Sequence, residues 1–194
     1  MILPLRRLFL LASRPDLERT QEAIPPEPDH AWKALSLVND WIRHSDAKAG
    51  VTLAFVGALG AMLFNLLRDS TVRNPGFDIV VVAGCCFLLL TAVLCALTLT
   101  PRVNDRDAVP EAINRLFFKS ISKNFHGDRP GYAEVLSTLT SDPQELVKDL
   151  AHQIHANARI ATVKGEFATW AIRSALVAGA CIALVALLIG IDRL

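Results

Sequence analysis

The sequence predicts an all-α integral membrane protein with three transmembrane helices and a helical cytoplasmic region. Two observations carry this. Charges are missing from three long stretches, and no stretch of any length alternates as a β-strand would. Nineteen uncharged residues separate Lys48 from Arg68, twenty-three separate Asp78 from Arg102, and eighteen separate Arg173 from Asp192. A bilayer core about 30 Å thick takes roughly 20 helical residues, so each stretch suffices to cross it. The 194 residues are 52% apolar and 20% charged. That excludes a disordered tail, and the blockwise distribution excludes a soluble enzyme with one large core. A formal net charge of +1 excludes polyanion binding driven by bulk charge.

Residues 1–28 read as a flexible N-terminal segment and a linker rich in proline, with Pro15, Pro25, Pro26 and Pro28. Arg6 and Arg7 precede only five apolar residues, too few for a secretory signal of either the ordinary or the twin-arginine kind. A short interfacial segment, or a start codon set too early, is the expectation there. A helix starts at Asp29, whose carboxylate can cap free N–H groups. Trp32, Leu35, Val38, Trp41 and Ile42 give residues 29–48 an amphipathic helical spacing. No breaker separates this helix from the first span, 49–67, so one helix about 57 Å long is expected.

Residues 68–77 form a turn, and the second span occupies 78–100, ended or kinked by Pro101. The region 101–172 reads as short helices over Ala108–Ser122 and Tyr132–Leu139, with a loop at Asn124–Pro130. Ser141-Asp142-Pro143-Gln144-Glu145 is a strong helix start, with Asp as N-cap, Pro at N1 and Glu at N3. From there no proline intervenes up to Ile191, which predicts a helix of about 72 Å entering the third span, 173–191. Residues 192–194 are a short tail.

Lysine and arginine counts set the expected orientation. Seventeen lie before the first span or between the second and third, and three lie in the turn and the tail. The N-terminus and middle region are therefore expected in the cytoplasm, and the turn and C-terminus in the periplasm. Small residues recur every four positions, as Gly50, Ala54 and Ala58, as a second stripe of Gly57 and Ala61, and again as Ala171, Ala175, Gly179 and Ala183. Such stripes let helices approach closely in lipid, within one chain or between copies. Cys85, Cys86, Cys95 and Cys181 all fall in apolar stretches and read as small apolar residues. No charge sits mid-span, which speaks against a pump or transporter.

Motifs of nucleotide hydrolysis, dinucleotide binding, zinc proteolysis and serine hydrolysis are absent, so the chain is expected not to be an enzyme. His152 and His155 lie three apart, but no further ligand on their face completes a metal site, and no metal is expected. Lys148, His152, His155 and Arg159 form one helical face, either a solvated surface or an anion site. Arg115, Lys119 and several aromatic residues, among them Phe117, Phe118 and Tyr132, could supply cations and flat surfaces for a nucleotide. Arg115, Lys119, His155 and Arg159 are the candidate ligand-binding residues. Lys48 can snorkel to the headgroups, whereas Asp46 at the membrane entry needs a partner, with Arg159, Lys164 or Arg173 in reach. Asp46 and Lys48 are thus candidates for coupling the two long helices.

Three strings together resemble a known family. They are the block from Ala31-Trp32 through Asn39-Asp40-Trp41-Ile42 to Ser45-Asp46-Ala47-Lys48-Ala49, then Leu116-Phe117-Phe118, then the run from Asp142-Pro143-Gln144-Glu145-Leu146 to Ala158-Arg159-Ile160-Ala161 and Lys164. In this order, with spans between them, they resemble the transmembrane effectors of Pycsar antiphage systems over residues 30 to 190. The resemblance implies a non-enzymatic effector without a cofactor. Its ligand would be a cyclic pyrimidine nucleotide, cCMP or cUMP, made by a partner cyclase on phage infection. Its target would be the lipid bilayer of the inner membrane, impaired so that infection aborts; the small-residue stripes, read as an interface between copies, add the expectation of a homo-oligomer. Nucleic acid is not an expected partner. The β-roll and phosphate cassette of the usual cyclic-nucleotide domains are absent, so the resemblance assigns no ligand residues. The rival readings are an effector of a related cyclic-oligonucleotide system and a membrane scaffold that senses nothing.

Overall fold

The structure, a computed structural model, describes residues 27–68, 70, 72, 74–101 and 115–192. All secondary structure among them is helical: α1 (Pro28–Arg68), α2 (Pro75–Leu99), α3 (Phe118–Asn124), α4 (Arg129–Ser141) and α5 (Pro143–Asp192). The expectations for residues 1–26, for 102–114 and for the last two residues lie outside the described residues.

α1 is one unbroken helix of 41 residues and α5 one of 50. Neither contains an internal proline, so nothing interrupts the backbone ladder where apolar sequence replaces polar sequence. Caps decide where the helices begin. Asn74 Oδ1 accepts from the Gly76 N–H at 2.9 Å, with Pro75 in the first turn of α2. Asp142 Oδ1 accepts from the N–H groups of Gln144 and Glu145 at 2.9 and 3.2 Å and so starts α5. Asp128 Oδ1 caps α4 through the Gly131 N–H at 2.9 Å. A side chain at Gly131 would collide with that carboxylate. Gly127, at φ +80°, makes the turn between α3 and α4 in a conformation that favours glycine. α2 stops at Leu99, just before Pro101.

The expected helix over 108–122 is corrected in its described part. Residues 115–117 are not helical, and α3 begins only at Phe118. Arg115 is drawn into contacts with α4 and α5 instead, as detailed below.

α1, α2 and α5 are each long and apolar enough to cross a membrane. α5 packs against both others along a core of Val56, Leu63, Leu88, Ala175, Ala178, Ile182 and Val185. A smaller cluster of Ala49, Cys95 and Ala171 marks the level at which α2 nears its end. Polar atoms in this layer find partners within it. Thr91 Oγ1 donates to the Phe87 carbonyl at 2.7 Å, and Ser174 Oγ of α5 donates to the same carbonyl at 3.1 Å. Side chains such as Val51, Phe64, Ile79, Leu89 and Leu176 point outward, as a lipid-facing surface requires. Of the small-residue stripes, Ala171 and Ala175 are buried against the neighbouring helices. Gly50, Ala54, Gly57, Ala58 and Ala61 all lie exposed on the outer face of α1.

Beyond the end of α2, α1 and α5 continue together. Their last shared core is Leu35 with Leu146 and Leu150, closed by Leu139 of α4. The face expected to pack inward, Leu146, Leu150, Ile154 and Ala158, does so, with the two leucines buried and the other two partly buried.

Candidate interfacial groove and polar latch

α1 and α5 run parallel in a fixed register. Asn157 Nδ2 donates to Asn39 Oδ1 at 2.8 Å, and Lys164 Nζ donates to Asp46 Oδ1 at 2.6 Å, each pair 118 residues apart. Of the three partners considered for Asp46, Lys164 is the one it meets. The Lys164 side chain is only 7% exposed, so its charge depends on this carboxylate for compensation. Gly165 faces Ser45 and Gly179 faces Leu59, which carries the seam into the apolar layer.

On one side of this seam lies a groove of about 610 Å³. Small residues, Ser45, Ala158, Ala161 and Gly165, leave the space. Trp41 and Trp170 stand towards its two ends, with Lys48 and His44 on the α1 side and Glu166 on the α5 side. The Trp41 and His44 rings meet edge to face at 6.3 Å. The Arg173 guanidinium lies 5.2 Å from the centre of the Trp170 ring. Lys48, the second coupling candidate, thus lines a cavity rather than joining the seam. Trp41 entered the sequence reading only through its helical spacing and the family resemblance, and Trp170 and Glu166 were not singled out. Tryptophan flanking an apolar span was the available signal, since its ring favours the membrane interface.

At the far polar end, Arg115 latches three segments. Its Nε donates to Asp149 Oδ2 at 2.8 Å, and its Nη2 donates to Asp149 Oδ1 at 3.1 Å and to Glu145 Oε2 at 3.0 Å. Tyr132 Oη of α4 donates to the Arg115 carbonyl at 3.3 Å. The hydrogen bond that Arg115 donates to Asp149 chiefly, with Glu145 beside it, holds the guanidinium well above its ordinary pKa. The Phe125 and Tyr132 rings pack 5.4 Å apart beneath this turn. The structure thus places the first ligand candidate, Arg115, between two carboxylates. The side chain of Lys119 lies outside the described residues. His155 and Arg159 are exposed on α5, in one stripe with Lys148 and His152, and neither lines the groove. The three described ligand candidates, Arg115, His155 and Arg159, therefore do not gather around this groove. Among the described residues no cluster of three or more His, Cys, Asp or Glu is placed to hold a metal.

Residues 30–191 match the family model of the Pycsar effector protein domain. The chain belongs to the Pycsar effectors. It is 38% identical over 149 residues to the Pycsar effector protein PtPycTM of Propioniciclava tarda, covering 76% of this chain and 71% of that protein. No solved structure matches. The effector is accordingly a membrane protein of antiphage defence with three spans, and the matched region includes the seam, the groove and the Arg115 latch.

Proposed function

We propose that this effector senses a cyclic pyrimidine nucleotide, cCMP or cUMP, made by a partner cyclase during infection, and responds by impairing the inner membrane so that infection aborts. The polar ends of α1 and α5, with α3 and α4, form the cytoplasmic sensor; the α1–α2 turn and the C-terminus face the periplasm. The chain performs no catalysis and acts as a homo-oligomer. Its relationship to Pycsar effectors supports the class of signal. The observation that carries the mechanism is the parallel seam of α1 and α5. Two helices continuous from polar end to span, held by Asn39–Asn157 and Asp46–Lys164, move as a unit. A ligand that alters the packing of the polar ends therefore reaches the spans without an intervening hinge.

The ligand's leverage is its differential affinity for the resting and active packings. A 100-fold preference supplies about 2.7 kcal/mol, enough to shift a marginal equilibrium. His155 and Arg159 are the proposed anion contacts, since both are exposed on one face of α5. Arg115 acts through the latch, and Lys119 is kept as the fourth candidate contact.

Thermal unfolding of the detergent-purified effector against cCMP, cUMP, cAMP and a cyclic dinucleotide tests the reading. One cyclic pyrimidine should raise the melting temperature selectively, because a ligand bound to the native state stabilises it. The same nucleotide should trigger dye release from vesicles that contain the effector. A folded protein that responds to none of the four at millimolar concentration refutes the sensor.

A further inference from the structure

The groove beside the seam is not used by the reading above, and its chemistry is distinctive. Lys48 and Glu166 line it from opposite helices, and they lie in the same register as the Asp46–Lys164 pair. They nevertheless form no ion pair with each other or with any other charge among the described residues. The cavity therefore presents one cation and one anion with space between them. Its depth in the membrane is fixed by its neighbours. Lys48 immediately precedes Ala49, and Trp170 immediately precedes Ala171. Those two alanines pack on Cys95, one turn from the end of α2. The groove thus opens where α2 runs out, at the boundary of the apolar layer. Trp41 and Trp170, more than half exposed, occupy positions that suit the headgroup zone.

We propose that this groove binds the headgroup of a zwitterionic phospholipid that carries a primary ammonium, the phosphoethanolamine group. The phosphate pairs with Lys48, with His44 as a second donor, and the ammonium pairs with Glu166. The Trp170 ring lines the apolar end, where the glycerol and the first methylenes lie. A cavity of about 610 Å³ has room for headgroup and glycerol together. An anionic headgroup is disfavoured because Glu166 would face it. A choline headgroup is disfavoured because its quaternary nitrogen has no N–H to donate to the carboxylate.

Native mass spectrometry of the full chain released from nanodiscs of equimolar phosphatidylethanolamine and phosphatidylglycerol tests this. Retained phosphatidylethanolamine should exceed phosphatidylglycerol by about fivefold, the reach of roughly 1 kcal/mol for a partly exposed ion pair. E166Q should abolish or invert that preference, and K48Q should weaken retention of both lipids. Both positions are exposed, so melting temperatures should stay close to wild type. Free phosphoethanolamine at millimolar concentration should not displace the lipid, which separates a lipid site from a site for the soluble headgroup. Equal retention of the two lipids by wild type, or an unchanged ratio in E166Q, overturns the proposal. Displacement of the lipid by cCMP or cUMP also overturns it and assigns the groove to the nucleotide. Failure of the lipid preference leaves the nucleotide-induced melting shift untouched, so the two readings fail separately.

Discussion

Asn157 sits across from Asn39, 118 residues earlier, with Nδ2 donating to Oδ1 at 2.8 Å. Two turns further towards the membrane the same spacing recurs in the Lys164–Asp46 ion pair. An axial slip of one helix past the other breaks both contacts at once, so α1 and α5 share a single register. Any change in the packing of these two helices is therefore either a joint displacement or a loss of the seam.

Removing one member of the ion pair should cost far more than removing both. Asp46→Ala leaves a buried ammonium uncompensated, a loss of about 3 kcal/mol. The double variant D46L/K164M replaces the pair with apolar volume and should recover most of that stability. Melting temperatures in detergent read both. Equal destabilisation by the single and double variants would show that the pair is not the source of the effect.

Arg115→Ala should release the α3–α4 hairpin from α5. Three charge-assisted hydrogen bonds are lost, a local cost of about 2 kcal/mol. Hydrogen exchange should accelerate over 118–141 and remain unchanged in the spans. Because the guanidinium pKa is raised on folding, its contribution is fully present below the ordinary arginine range and fades only above it. Titration of Arg115 should therefore produce no change in latch protection between pH 6 and 9, roughly the range open to the exchange experiment.

Charge reversal on the exposed stripe tests the proposed anion contacts. H155E and R159E together should raise the apparent nucleotide Kd by roughly tenfold or more, the scale of losing one charge-assisted contact. The solvent-facing H155E on its own should leave the unliganded melting temperature within a few degrees. An unchanged nucleotide response would place the ligand elsewhere.

The outer face of α1 bears on assembly. A Cβ at Gly50 or Gly57 would meet nothing within 4 Å beyond its chain neighbours and the adjacent backbone of its own helix. G50L/G57L should therefore leave the protomer folded while reducing crosslinked oligomers and vesicle leakage together. Intact oligomers in this variant would exclude the stripe as the contact between copies.

Much of this protein follows from local chemistry and was legible in the sequence. Uncharged runs after Lys48, Asp78 and Arg173 define spans because a charge at mid-bilayer is costly, and Asp142-Pro143 starts a helix through its own backbone contacts. The absence of proline after Pro143 made α5 continuous from polar end to span. The tertiary structure alone decided which charges meet. Asp46 had three cations in reach, and only the parallel register of α1 and α5 selects Lys164. Arg115 reads as a free phosphate donor in sequence, yet the fold sets it between Asp149 and Glu145, more than 30 positions away in the case of Asp149. The same contact, with the Tyr132 bond to its carbonyl, accompanies the loss of helix at 115–117. The groove also belongs to the fold, because it exists only where α2 stops short and small residues on two distant helices come face to face. Helix periodicity reports which residues share a face; it carries no information about which face of another helix comes to lie against it.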